Sequence, residues 1–191
     1  ENNGVLKRDQ VKEYLKSLGQ NERKILRDLG VKFGRYHIFL HRLIKPEPVS
    51  LRTLLWKNYH QKYFDLKPPT FGLNFIEKKD YKNKNFMLLC GFEKFENSYV
   101  RIDILERLFV LIINSTLGKE KEIKLIPEML NLLGCSKENF KNLLKNMHYR
   151  ILEKDNEIFF KYNPKKNIRK NSNQKNKKES PFGILKNISF N

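Results

Sequence analysis

The chain has 191 residues, with 39 Lys or Arg against 21 Asp or Glu, a formal net charge of +18. That length can bury a core as one domain or two small ones, and that charge suits a polyanionic partner, because each cation set on a phosphate releases a condensed counterion. No apolar run reaches the ~18 residues of a membrane span, and Cys90 and Cys135 are too far apart for a metal-ligand motif, so they read as apolar fillers in a reducing, cytoplasmic setting. A Lys- and Asn-rich composition also arises from genomic base composition, so weight rests on where the cations cluster. Glu1-Asn2-Asn3-Gly4 shows neither an initiator Met nor a basic-then-apolar leader, the pattern of a piece of a longer protein.

The first predicted helix covers residues 8–29. Val11, Tyr14, Leu15, Leu18, Ile25, Leu26 and Leu29 form its apolar stripe, Gly19 and Asn21 split it with Asn21 as the second N-cap, and Gly30 stops it. Residues 31–40 are β-like, with Gly34 marking a bulge or a close backbone approach. Pro46 and Pro48 predict an extended connection, after which Ser50 caps a helix over 51–60 with Leu51, Leu54, Leu55 and Trp56 packed inward. Residues 70–85 read as a linker loop and 86–95 as a strand or irregular lead-in broken by Gly91. A strong amphipathic helix follows over 101–116, with Ile102, Leu105, Leu108, Phe109 and Ile112 inward.

Residues 127–133 predict a helix ended by Gly134, and Ser136 caps a helix through Met147 with Phe140, Leu143 and Leu144 on its apolar face. Strand-like pieces at 149–153 and 157–162 complete the order helix, helix, turn, helix, hairpin, that of a winged helix. Residues 163–179 are nearly all Lys, Arg, Asn, Ser and Gln and are expected to be disordered, whereas 180–191 restore a short apolar cluster with Phe182, Ile184 and Leu185. The expected class is therefore α+β, mainly helical. It comprises a helix and strand unit over 1–69, a linker over 70–85, a winged-helix-like unit over 86–162, the basic linker over 163–179 and the terminal motif over 180–191.

The sequence offers no chemistry. It has no Gly-x-x-x-x-Gly-Lys-Ser/Thr phosphate loop, and His37, His41, His60 and His148 lack zinc-ligand spacing. Asp103 and Glu106 read as a helix-start anion and a solvated side chain, and Ser136 as a cap. No catalytic, cofactor or metal residue is expected. The binding candidates are cationic. Lys32, Arg35, His37, His41, Arg42 and Lys45 flank Phe33, Tyr36 and Phe39, and cations beside rings suit single-stranded RNA or DNA, whose phosphates meet charge while bases stack. Lys137, Lys141 and Lys145, four apart, make one helix stripe near Arg150. Lys165, Lys166, Arg169 and Lys170 open the basic tail, whose contact with a polyanion would be sequence-independent and salt-sensitive.

Several stretches resemble the C-terminal region of the alphaproteobacterial helicase-related proteins, superfamily-two DExH-type helicases akin to the mitochondrial degradosome RNA helicase. They are Gly30-Val31-Lys32-Phe33-Gly34-Arg35, Phe39-Leu40, Leu43-Ile44-Lys45-Pro46 and Leu51-Arg52-Thr53-Leu54-Leu55-Trp56. Gly91-Phe92 before Arg101–Leu108, Pro127-Glu128-Met129-Leu130 before Leu133-Gly134-Cys135-Ser136, and the terminal Ser180-Pro181-Phe182 with Leu185 keep the same order. The resemblance implies a parent protein that unwinds nucleic acid with ATP and Mg2+ bound in motor domains upstream of Glu1. The present chain would then be a monomeric, non-catalytic accessory region contacting the strand and the motor domains of the same polypeptide. The tail departs from the family by being Lys- and Asn-rich rather than Pro- and Arg-rich. Two other classes fit the residues: a stand-alone winged-helix regulator, and a ribosome- or degradosome-docking protein acting through Phe182, Ile184 and Leu185.

Overall fold

The computed structural model describes residues 4–77, 83–117, 122–154 and 157–163. The expected tail, with Lys165, Lys166, Arg169 and Lys170, and the terminal motif lie outside the described residues. The described chain mixes helix and strand, and one arrangement of elements occurs three times along it. The first unit runs β1 (Val5–Lys7), α1 (Lys12–Ser17), α2 (Gln20–Asp28), β2 (Val31–Phe33) and β3 (His37–Leu40). Both β1 and β2 pair antiparallel with β3. After α3 (Pro46–Tyr59), the second unit repeats the plan with β4 (Phe75–Glu77), α4 (Lys84–Leu89), β5 (Phe92–Lys94) and β6 (Ser98–Arg101), in sheet order β4-β6-β5. Helix α5 (Ile102–Asn114) and the short β7 (Thr116–Leu117) lead into the third. That unit has β8 (Glu122–Lys124), α6 (Pro127–Leu133), α7 (Lys137–Asn146), β9 (Tyr149–Lys154) and β10 (Glu157–Tyr162), in order β7-β8-β10-β9.

The repeat extends to single hydrogen bonds. One residue with positive φ separates the last helix of each unit from its hairpin: Gly30 (91°), Gly91 (84°) and His148 (64°). Its carbonyl accepts from the residue after the third strand, from His41 N at 3.4 Å, Ile102 N at 2.9 Å and Asn163 N at 2.9 Å. Each such residue therefore terminates a helix and ties the far end of its hairpin.

Helix α5 joins the units. Its Ile104, Leu105, Leu108, Phe109 and Ile112 are buried with Met129, Leu133, Phe140, Leu144 and Phe160 of the third unit. Val49 of α3 packs with Phe86, Met87, Leu89 and Tyr99 of the second unit, and Trp56 borders that cluster. Val5, Phe39, Ile44 and Ile102 form a smaller core between the first two units.

The ends of α6 and α7 agree with the sequence: Gly134 is the left-handed C-cap, and Ser136 Oγ accepts from Asn139 N at 3.2 Å. Other expectations are corrected. Gly19, not Asn21, is the N-cap of α2, with Glu22 Oε2 accepting from Gly19 N at 2.7 Å. Residues 31–40 form two strands and a turn rather than one strand. Pro46 opens α3 rather than preceding it in an extended connection, because the first helical turn needs no intrahelical N–H from Pro46 or Pro48. Ser50 lies inside that helix, its Oγ donating to Pro46 O. Leu51, Leu54 and Leu55 face outward at 58%, 54% and 60% exposure, while Val49 and Thr53 face inward. The linker contains β4, and the lead-in at 86–95 is the end of α4, capped by Asn83, followed by β5. Among the described residues no helix is long and apolar enough to cross a membrane.

Candidate nucleic-acid interface

The β2–β3 turn is held open by a carboxylate from another unit. Gly34 brings the backbone so close to α5 that a Cβ there would lie 2.3 Å from Glu106 Cδ. In that space Glu106 accepts three backbone hydrogen bonds, from Arg35 N (2.5 Å), Tyr36 N (2.9 Å) and His37 N (2.8 Å). Arg8 steadies the other side, its N donating to Tyr36 O at 2.8 Å and its guanidinium to Gly34 O at 2.7 Å. These bonds fix the backbone of the turn, and Arg35 is exposed on it.

Between this hairpin and α5 lies a cleft of about 540 Å³. Lys32, Arg35 and Arg107 bring cations to it, His41 an imidazole and Phe33 a part-exposed ring, while the buried Phe39 and Phe109 form its floor. Its two acids are already engaged: Glu106 by the turn, and Asp103 by Arg101, at 2.7 and 3.1 Å. Among the described residues Lys32, Arg35, Arg42, Lys45 and Arg107 enter no ion pair. The cleft thus combines three cations outside any ion pair with two carboxylates whose hydrogen bonds are already taken up, Glu106 by the turn and Asp103 by Arg101. The pKa of His41 lies below 6.5 because partial burial and the neighbouring Lys45, Lys32 and Arg107 disfavour a further charge and outweigh the opposing pull of Asp103.

His37 is not part of that surface. It is 3% exposed, with Nδ1 3.3 Å from Glu106 Oε1 and Nε2 3.1 Å from Glu93 Oε2. Glu93 also accepts from Lys7 Nζ at 2.7 Å. Burial opposes the imidazolium, yet the hydrogen bonds to Glu106 and Glu93 outweigh it and raise the pKa above 6.5. The same bonds, with the turn amides at Glu106, hold both carboxylates below 4.5 against their own burial. The sequence reading of His37 as a surface contact is therefore corrected to a clasp between first and second units.

Arg42 and Lys45 are exposed on the run from β3 into α3, and Lys45 acts on His41. Lys137, Lys145 and Arg150 are exposed on the third unit but do not line the cleft, and Lys141 is paired with Glu153 at 2.5 Å. Among the described residues no three His, Cys, Asp or Glu side chains converge as metal ligands. Sequence reasoning missed Arg107. It is the one cation in the otherwise apolar and acidic α5, a signal that marks an outward-facing point but not what lies opposite it.

No known protein family, curated protein or solved structure matches the chain. The functional reading therefore rests on the residues and their geometry.

Proposed function

We propose that this chain holds single-stranded nucleic acid in the cleft between the β2–β3 hairpin and α5, as the non-catalytic accessory region of an ATP-dependent helicase. The observation that carries the reading is the set of cations Lys32, Arg35 and Arg107, none in an ion pair among the described residues, around the part-exposed ring of Phe33. Phosphates need the first kind of group and unstacked bases the second. The helicase assignment adds the resemblance of the segments containing these residues. ATP and Mg2+ belong to the motor domains of that parent protein, and no step here requires them.

We read the third unit, with its strand, two helices and hairpin, as winged-helix-like. The alternative function, a regulator gripping duplex DNA through α7, draws on the exposed Lys137, Lys145 and Arg150. Fluorescence anisotropy separates the two. Lys32→Ala with Arg35→Ala and Arg107→Ala is expected to weaken single-strand binding and to lower the slope of log K against log salt by about 0.7 for each phosphate no longer neutralised. Lys137→Ala with Lys145→Ala and Arg150→Ala is expected to change it little. The reverse pattern, with weakening confined to duplex and to the α7 set, would favour the regulator.

A further inference from the structure

Beside the cleft lies a second hollow of about 350 Å³, which shares Arg35, Phe109 and Ile113 with it. The first unit, the connecting helix α5 and the third unit meet there. Tyr36 comes from the β2–β3 turn, Phe109 from α5, and Tyr149 and Tyr162 from β9 and β10. Tyr149 and Tyr162 are direct cross-strand partners with ring centroids 5.3 Å apart, and Tyr36 meets Phe109 edge-on at 4.6 Å.

Three features suit this hollow to a small planar ligand. It is an open recess whose volume is that of a small-ligand pocket. Tyr149 is buried, but Tyr162 is 46% exposed, so one aromatic wall is open to entry from solvent. Arg35 also lies close enough to act on the phenol of Tyr149, and it lines both cavities. Burial pushes Tyr149 up to about 12, and Tyr36 is raised as well, so both phenols stay protonated near neutral pH and can donate as well as accept.

We propose that the hollow takes one unpaired nucleobase of the strand whose phosphates lie in the cleft. The inference rests on the cleft reading and gives it a structural origin for strand selectivity. A base inside a duplex could enter only after being flipped out of its stack. Aromatic walls accept any base face, so recognition would be of an unpaired base rather than of a sequence.

The test uses the full chain and two fluorescent single strands, one intact and one abasic at every position with the same phosphates, each in ribose and deoxyribose form. The wild type is expected to bind the abasic strand at least about 5-fold more weakly, the smallest loss that one stacked base would give. Tyr162→Ala should lose a comparable factor on the intact strand and nothing on the abasic one, while Tyr162→Phe keeps most of the affinity. Equal wild-type affinity for the two strands would overturn the base pocket whatever the fold of the Tyr162 variants, as would an equal loss on both strands in Tyr162→Ala. If the Lys32, Arg35 and Arg107 substitutions still weaken both strands in that case, the cleft stands without its pocket. If neither strand binds, both proposals fall.

Discussion

Glu106 is where single residues decide most. Its carboxylate replaces water for three amides of the β2–β3 turn and for the His37 ring, so its removal would leave several part-buried donors unpaired. Gly34→Ala attacks the same point by steric crowding, and we expect it to lower the unfolding free energy in urea by about 1–3 kcal/mol. The clasp also sets a pH dependence. His37, with its folded pKa raised, contributes stability that is full below 6.5 and is lost as pH rises through the folded value. Glu93 and Glu106, with folded pKa values depressed, contribute stability present above 4.5 and lost as pH falls through theirs. Stability from this cluster should therefore peak between about pH 4.5 and 6.5. In His37→Gln, denaturation at pH 5.5 and pH 8.5 should differ less than in wild type; an unchanged difference would assign the pH dependence to other groups. His148 is a separate case. It adopts positive φ where the two equivalent positions have glycine, and His148→Gly is expected to raise stability by up to about 1 kcal/mol in thermal unfolding.

Among the elements, α3 and α5 show what apolar periodicity leaves open. Helix α5 buries the stripe its spacing implies. Helix α3 has apolar residues on two sides, and the sequence does not say which side meets the core. Trp56 decides it by stacking on Tyr63 at 5.3 Å and lying 5.5 Å from Phe86. Val49 and Thr53 follow it inward, and Leu51, Leu54 and Leu55 are left outside. Each of Leu51→Ser, Leu54→Ser and Leu55→Ser should thus change the unfolding free energy by no more than about 0.5 kcal/mol, whereas Leu108→Ala should cost about 2–5 kcal/mol. The short strands are illegible for another reason. β1, β4 and β8 have three residues each, too few for alternation to stand out, and they exist because a hairpin lies ready to pair with them. By contrast Gly134 and Ser136 act within their own backbone turns, so the boundary between α6 and α7 can be read locally.

Across the full fold, the cores connect the units in series. Val5 and Phe39 of the first unit pack with Ile44 and Ile102, α3 packs on the second unit through Val49 and Trp56, and α5 packs on the third. Unfolding should therefore be cooperative across all three, with Trp56 fluorescence and far-UV circular dichroism giving coincident urea transitions. Separate midpoints would show that the cluster around Trp56, between α3 and the second unit, opens apart from the rest. This packing also brings Arg107 opposite Lys32 and Arg35, concentrating in one cleft a charge that the composition only totals.

The cation-rich run from Lys32 to Lys45, the caps of α6 and α7 and the apolar stripe of α5 can all be read along the chain, because each depends on neighbours within a few residues. Folding in three dimensions was needed to turn His37 inward, to set Arg107 beside Arg35, and to gather Tyr36, Tyr149 and Tyr162 around one hollow. Those outcomes follow from how distant segments satisfy buried charge and fill space, and local spacing does not encode which distant groups will meet.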